Sequence, residues 1–139
     1  MRHDDKAPRI LVVDDEPSVL EFTERALQTA GYDVVVATSG REALELVERR
    51  GPFDGFVLDF LMPGMSGSEL AVALRRSDPD ARILYFTGFS DRLFSEKTTL
   101  WANEAFVEKP LSIQGLLEAV SLLLHGDLRN PDKARRSGG

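Results

Sequence analysis

The sequence predicts an α/β fold, a doubly wound five-stranded parallel sheet with helices on both faces, on two observations. Short apolar runs alternate five times with longer stretches whose apolar residues recur at helical spacing, which implies βαβ crossovers and a parallel sheet. The runs are continuously apolar rather than alternating, as strands buried on both faces must be. Right-handed crossovers then leave only a few topologies.

Ile10-Leu11-Val12-Val13 is the first strand. Pro17 sits where a first helical turn tolerates it. Val19, Phe22, Thr23, Ala26, Leu27 and Ala30 follow at helical spacing, and Gly31 supplies the stop. Val34-Val35-Val36-Ala37 is the second strand. Ser39, with Glu42 three residues on, is a capping-box pattern. It opens a helix that carries Ala43, Leu44, Leu46 and Val47 and breaks at Gly51-Pro52. Phe56-Val57-Leu58 is the third strand and runs into Asp59. A loop from Met62 to Gly67 leads to a helix bearing Leu70, Ala71 and Leu74, and Asp78-Pro79-Asp80 is a turn.

Ile83-Leu84-Tyr85-Phe86 is the fourth strand, ending at Thr87-Gly88. From Ser90 to Trp101 the pattern is weaker: Leu93, Lys97, Leu100 and Trp101 share a face, but Thr98-Thr99 lowers helix propensity. Ala105-Phe106-Val107 is the fifth strand, before Lys109-Pro110. Ser112 caps a last helix with Ile113, Leu116, Leu117, Val120, Leu123 and Leu124 inward. Residues 9–124 form the expected domain. Residues 1–8 are an expected flexible N-terminus and residues 125–139 a flexible basic tail, with no effector domain.

Bulk properties narrow the function. A chain of 139 residues suits one domain, and 42% hydrophobic with 29% charged residues is ordinary globular composition. No stretch approaches the ~20 apolar residues needed to span a bilayer, and no apolar segment near the N-terminus resembles a secretory signal. Zero cysteines exclude disulfides and thiolate metal sites and suit a reducing cytoplasm. The net charge is −6, but the tail from His125 onward carries a local +2, which leaves −8 on the body. An acidic body argues against a nucleic-acid surface.

In open parallel sheets functional groups gather beyond the carboxyl ends of the strands. Reactive residues stand at those positions: Asp14-Asp15 after strand one, Asp59 after strand three, Thr87 at the end of strand four and Lys109 after strand five. Taken singly, each has a plainer reading. Asp14-Asp15 could be a turn or helix cap, Asp59 a turn residue, Lys109 a solvated lysine. The joint placement at four strand ends carries the specificity.

Three neighbouring carboxylates repel unless a cation sits among them. Mg²⁺ suits such a set, taking one or two carboxylates, waters and a phosphate oxygen. An aspartate can attack a phosphoryl group to give an acyl phosphate. The metal and Lys109 would neutralise charge on that group while Thr87 donates a hydrogen bond.

The order Asp14-Asp15-Glu16-Pro17, Asp59 through Gly67, Thr87-Gly88 and Lys109-Pro110 resembles the receiver domain of two-component response regulators. The resemblance implies a flavodoxin-like sheet of strand order 2-1-3-4-5. It makes Asp59 the phosphoacceptor, with Asp15 binding Mg²⁺ directly, Asp14 assisting partly through water, and the backbone carbonyl of Leu61 completing the protein ligands. Thr87 is then the switch hydroxyl, paired with Phe106 as the switch aromatic. Lys109 holds the phosphoryl group, and Lys109-Pro110 is expected cis.

The implied protein is a signalling switch, cytoplasmic, and no enzyme beyond its own phosphorylation and dephosphorylation. Its partners would be a histidine kinase or histidine phosphotransfer protein and a downstream protein, with no nucleic acid and no membrane. It would be a monomer or a weak dimer through the Ser90–Trp101 face. The Tyr85-to-Phe89 strand end also resembles receivers attached to hybrid sensor kinases.

The chain departs from the family pattern in places. Leu61 and Phe89 are large and apolar where the family borders the water route to the phosphoryl group, so slow hydrolysis is expected. Asn103-Glu104-Ala105 replaces a common Gly-Ala, and Phe89, Phe94 and Trp101 are candidates for a contact patch or for core. A phosphatase of the haloacid-dehalogenase type would need an acid at Leu61. A flavin-binding module would need a phosphate loop where Asp14-Asp15-Glu16 repels phosphate. A receiver fold that binds partners regardless of phosphorylation remains the main alternative.

Overall fold

The computed structural model describes residues 7–87, 104–108 and 113–125. Among them, five parallel strands form one sheet: β1 (Arg9–Val13), β2 (Asp33–Ala37), β3 (Gly55–Leu58), β4 (Ile83–Thr87) and β5 (Glu104–Glu108). Their order is β2-β1-β3-β4-β5, as the family resemblance implies. The helices are α1 (Pro17–Thr29), α2 (Gly40–Arg50), α3 (Gly67–Ser77) and a C-terminal helix (Ile113–His125). Among the described residues no helix is long and apolar enough to cross a membrane. The Ser90–Trp101 segment, Lys109-Pro110, Ser112 and the chain from Gly126 lie outside the described residues.

Side chains alternate across each strand, and this splits the interior in two. Leu11, Val13, Phe56, Leu58, Ile83 and Tyr85 point to the side covered by α2 and α3, with Leu46, Leu70 and Leu74. Ile10, Val12, Val57, Leu84 and Phe86 point the other way, against α1 and the C-terminal helix, with Leu27, Leu116 and Val120. Both faces are covered, which is why the strands read as unbroken apolar runs.

The helix boundaries follow local chemistry. Pro17 opens α1. At its other end Gly31 adopts a positive φ of 99°, and the Gly31 and Tyr32 N–H groups donate to the Gln28 and Leu27 carbonyls at 2.9 and 3.0 Å. That pair of bonds is the Schellman arrangement, which places glycine in the left-handed region. Ser39 caps α2 by accepting from the Glu42 N–H at 3.2 Å. The expected reciprocal bond goes elsewhere: the Glu42 carboxylate accepts from the Thr38 N–H at 2.7 Å and the Thr38 hydroxyl at 2.9 Å. The complete capping box is at α3, where Ser66 accepts from the Glu69 N–H and Glu69 accepts from the Ser66 N–H.

Two expected inward faces need correction. In α1 the buried stripe is Leu20, Thr23, Ala26 and Leu27, while Val19 and Phe22 are half-buried and Ala30 is exposed. Ala30 belongs to the cap, beyond the last turn that touches the sheet. Ile113 is 51% exposed, because the inward stripe of the C-terminal helix begins one turn later at Leu116.

The start of α3 approaches the end of β3 very closely. The Gly67 N–H donates to the Phe60 carbonyl at 2.8 Å. A Cβ at Gly67 would lie 2.3 Å from the Asp59 carbonyl oxygen and 2.9 Å from the Phe60 Cα, contacts that only glycine avoids. Gly67→Ala is therefore expected to destabilise the fold by about 2–3 kcal/mol, since backbone must shift to admit the methyl group. Urea unfolding of the two proteins measures it, and equal midpoints would contradict the packing.

Thr23 supplies the opposite case. Its hydroxyl is buried on α1 with no hydrogen-bond partner among the described residues, a cost that the similarly shaped valine removes. Thr23→Val is expected to stabilise the protein by about 1 kcal/mol. The same urea titration checks it through a higher midpoint at unchanged slope.

Candidate functional site

Backbone register brings the site together. Val13 pairs with Ala37 on one side and with Leu58 on the other. The residues that follow, Asp14 and Asp59, thus emerge side by side, each still anchored by its amide: the Asp14 N–H donates to the Ala37 carbonyl at 3.2 Å and the Asp59 N–H to the Val13 carbonyl at 2.9 Å. Leu58 pairs with Tyr85, which sets Thr87 two residues further along β4 at the same edge. Thr87 pairs in turn with Glu108, the residue before Lys109.

Three carboxylates converge there. One oxygen from each of Asp14, Asp15 and Asp59 lies within 4.8 Å of the others. Asp14 is 2% exposed and Asp59 6% exposed, whereas Asp15 is exposed. At this separation two buried negative charges repel by on the order of 3 kcal/mol at an effective dielectric of ~20. The Asp14 carboxylate is fixed by accepting the Glu16 N–H at 2.9 Å, so it cannot rotate away without losing that bond.

The donor set is all carboxylate oxygen, with one member open to solvent. Hard divalent cations take such ligands, and Mg²⁺ in particular keeps waters alongside one or two carboxylates. The residues therefore fit Mg²⁺. Soft metals are disfavoured by the same donors.

Of the remaining expected site residues, Leu61, Thr87 and Phe106 fall among the described residues. Leu61 stands two residues past Asp59 in the loop to α3, its side chain half-buried against the core beneath α2 and α3. Thr87 closes β4 and Phe106 lies within β5, paired in register with Tyr85. Lys109, Phe89, Phe94 and Trp101 lie outside the described residues.

The structure adds contacts that sequence reading did not single out. Phe60, next to Asp59 and fully buried, meets the ring of Tyr85 edge-on at 5.8 Å between centroids. Gly67 abuts the Asp59 carbonyl, and the Ser66–Glu69 box locks the helix start beside it. The Ser-x-x-Glu spacing was visible in the sequence as a capping pattern. The approach of Gly67 was not, since it depends on where α3 lands.

Comparison with known proteins agrees with this geometry. The response regulator receiver domain family matches residues 10–121. The response regulator MprA of Mycobacterium leprae is 38% identical over 93% of this chain and 55% of its own length. The sensor kinase CckA of Brucella abortus is 37% identical over 83% of this chain, which corresponds to 12% of that kinase. The chain thus spans about half the length of one relative and a small part of the other. Among solved structures, the response regulator TrrA of Thermotoga maritima, in complex with Mg²⁺-BeF, superposes with a TM-score of 0.75 at 38% identity, covering 84% of this chain and 99% of that one. By sequence match, fold and relatives alike, the chain belongs to the response regulator receiver domain family.

Proposed function

We propose that this domain is a phosphorylation-dependent switch in a two-component phosphorelay, and that Asp59 accepts the phosphoryl group from a histidine kinase or a histidine phosphotransfer protein. The observation that carries the reading is the convergence of Asp14, Asp15 and Asp59 within 4.8 Å at the carboxyl edge of the sheet. A fold without ionic chemistry at that edge has no reason to hold two buried acids together.

In this reading Asp59 supplies a carboxylate oxygen that forms the new bond to phosphorus. The phosphorus–nitrogen bond of the donor phosphohistidine breaks, and its electron pair leaves with the imidazole, which takes up a proton. Asp14, Asp15, Asp59 and the Leu61 carbonyl would hold Mg²⁺, the ion with which the 38% identical TrrA was solved as its Mg²⁺-BeF complex. Mg²⁺ held there would supply positive charge to the phosphoryl oxygens. Lys109 pairs with the same oxygens and Thr87 donates a hydrogen bond to them. Phe106 follows Thr87, and a partner reads the change on the Ser90–Trp101 face. The sequence match to a sensor kinase as well as to a response regulator leaves both kinds of parent protein in play.

Intact-mass measurement after incubation with acetyl phosphate and Mg²⁺ tests the switch. The unaltered chain should gain one phosphoryl group and Asp59→Asn none. Failure of the unaltered chain to gain mass favours a module that binds partners regardless of phosphorylation.

The lifetime of the phosphorylated form is a separate expectation. Leu61 and Phe89 offer no polar group to an attacking water, so Leu61→Asn and Phe89→Glu should each speed dephosphorylation, by on the order of tenfold. Following the decay of the phosphorylated mass measures this, and unchanged rates would contradict it.

A further inference from the structure

One hydrogen bond joins the ends of the loop after Asp59, and two more fix the start of α3 that supplies its donor. The Gly67 N–H donates to the Phe60 carbonyl at 2.8 Å. The Glu69 N–H donates to the Ser66 hydroxyl at 3.2 Å, and the Ser66 N–H to the Glu69 carboxylate at 2.9 Å. The far side of the same loop is also pinned. Met65 packs on the first turn of α2 so closely that a Cβ at Gly40 would lie 2.7 Å from its sulfur.

These contacts bear on one backbone group. A peptide unit is rigid and planar, so fixing the Phe60 carbonyl fixes the plane joining Phe60 to Leu61. Only the φ and ψ of Leu61 then remain to aim its own carbonyl. The Leu61 side chain, packed against the core, restricts those angles further.

We propose that Ser66, Gly67 and Glu69 are positioning residues for divalent-cation binding: Gly67 bonds the loop end to Phe60, the Ser66–Glu69 box fixes the helix start that aims the Gly67 N–H, and together they present the Leu61 carbonyl to the Asp14–Asp15–Asp59 carboxylates. The inference rests on the reading of that cluster and the Leu61 carbonyl as the Mg²⁺ site. It assigns the cap of α3 a role in ligand geometry beyond helix stability. Residues that orient metal ligands without touching the metal alter affinity by about 10–100-fold when lost.

Titration calorimetry with MgCl₂ on the full chain, well below the unfolding temperature, tests it. Ser66→Ala and Glu69→Ala should each weaken Mg²⁺ binding by about tenfold. Ser66→Thr, which keeps the hydroxyl, and Glu69→Gln, which keeps the acceptor but not the charge, should bind as the unaltered chain does. Leu123→Ala, a core truncation on the opposite face of the sheet, should lower the unfolding midpoint and leave Mg²⁺ affinity unchanged. Unchanged affinity in Ser66→Ala and Glu69→Ala overturns the inference, and so does an equal loss in Leu123→Ala. If the unaltered chain takes up no Mg²⁺, the metal reading itself fails.

Discussion

Two buried carboxylates, Asp14 and Asp59, stand side by side because the strands before them are hydrogen-bonded in register. Val13 and Leu58 are partners in the β1–β3 ladder, and each chain delivers its acid one residue later. Like charges in a poorly hydrated place repel, and a flexible loop would let them part. Here the amides of both residues stay tied to neighbouring strands and the Glu16 N–H holds the Asp14 carboxylate. The fold therefore holds the two carboxylates at a fixed separation, with the Asp14 carboxylate set by its bond from the Glu16 N–H.

The division of labour between the faces follows from this. The layer beneath α2 and α3 reaches up to the site through Phe60, Tyr85 and Leu61. The layer beneath α1 and the C-terminal helix contains the strand residues of opposite parity and reaches the acids through the strands themselves. Far from the site, the Arg82 guanidinium donates to the Leu123 and Leu124 carbonyls near the end of the C-terminal helix, and Arg9 donates to the Pro52 carbonyl at 3.1 Å. These contacts tie down the opposite edge of the sheet, so the site sits on a scaffold braced at both ends.

Relatives of different overall length share this scaffold, since the chain covers 55% of one and 12% of another. A site assembled wholly from strand ends and one loop travels as a unit, because it needs nothing outside the domain to place its acids. Discrimination among the activities open to such sheets comes from small substitutions at the edge. An acid two residues after Asp59 would supply a general acid for hydrolysis, and Leu61 instead packs, half-buried, against the core.

Much of this molecule was legible in local patterns. The five apolar runs, Pro17 at a helix start, Gly31 at a helix end and the acids following the first and third strands all reflect chemistry within a few residues. Where the local pattern misled, a neighbour had intervened. Glu42 turned to Thr38 instead of completing the box with Ser39, and Ile113 lay one turn short of the buried stripe. Turn chemistry and hydrophobic period are short-range, so local pattern was enough to name the reactive residues and place them at strand ends, and the family resemblance supplied the strand order and the grouping of Asp14 and Asp15 with Asp59. The register that sets Asp14 beside Asp59, and the press of Gly67 on the Asp59 backbone, came from packing alone. Those are contacts between segments distant in the chain, set by how two apolar layers pack on one sheet, and no local pattern encodes them.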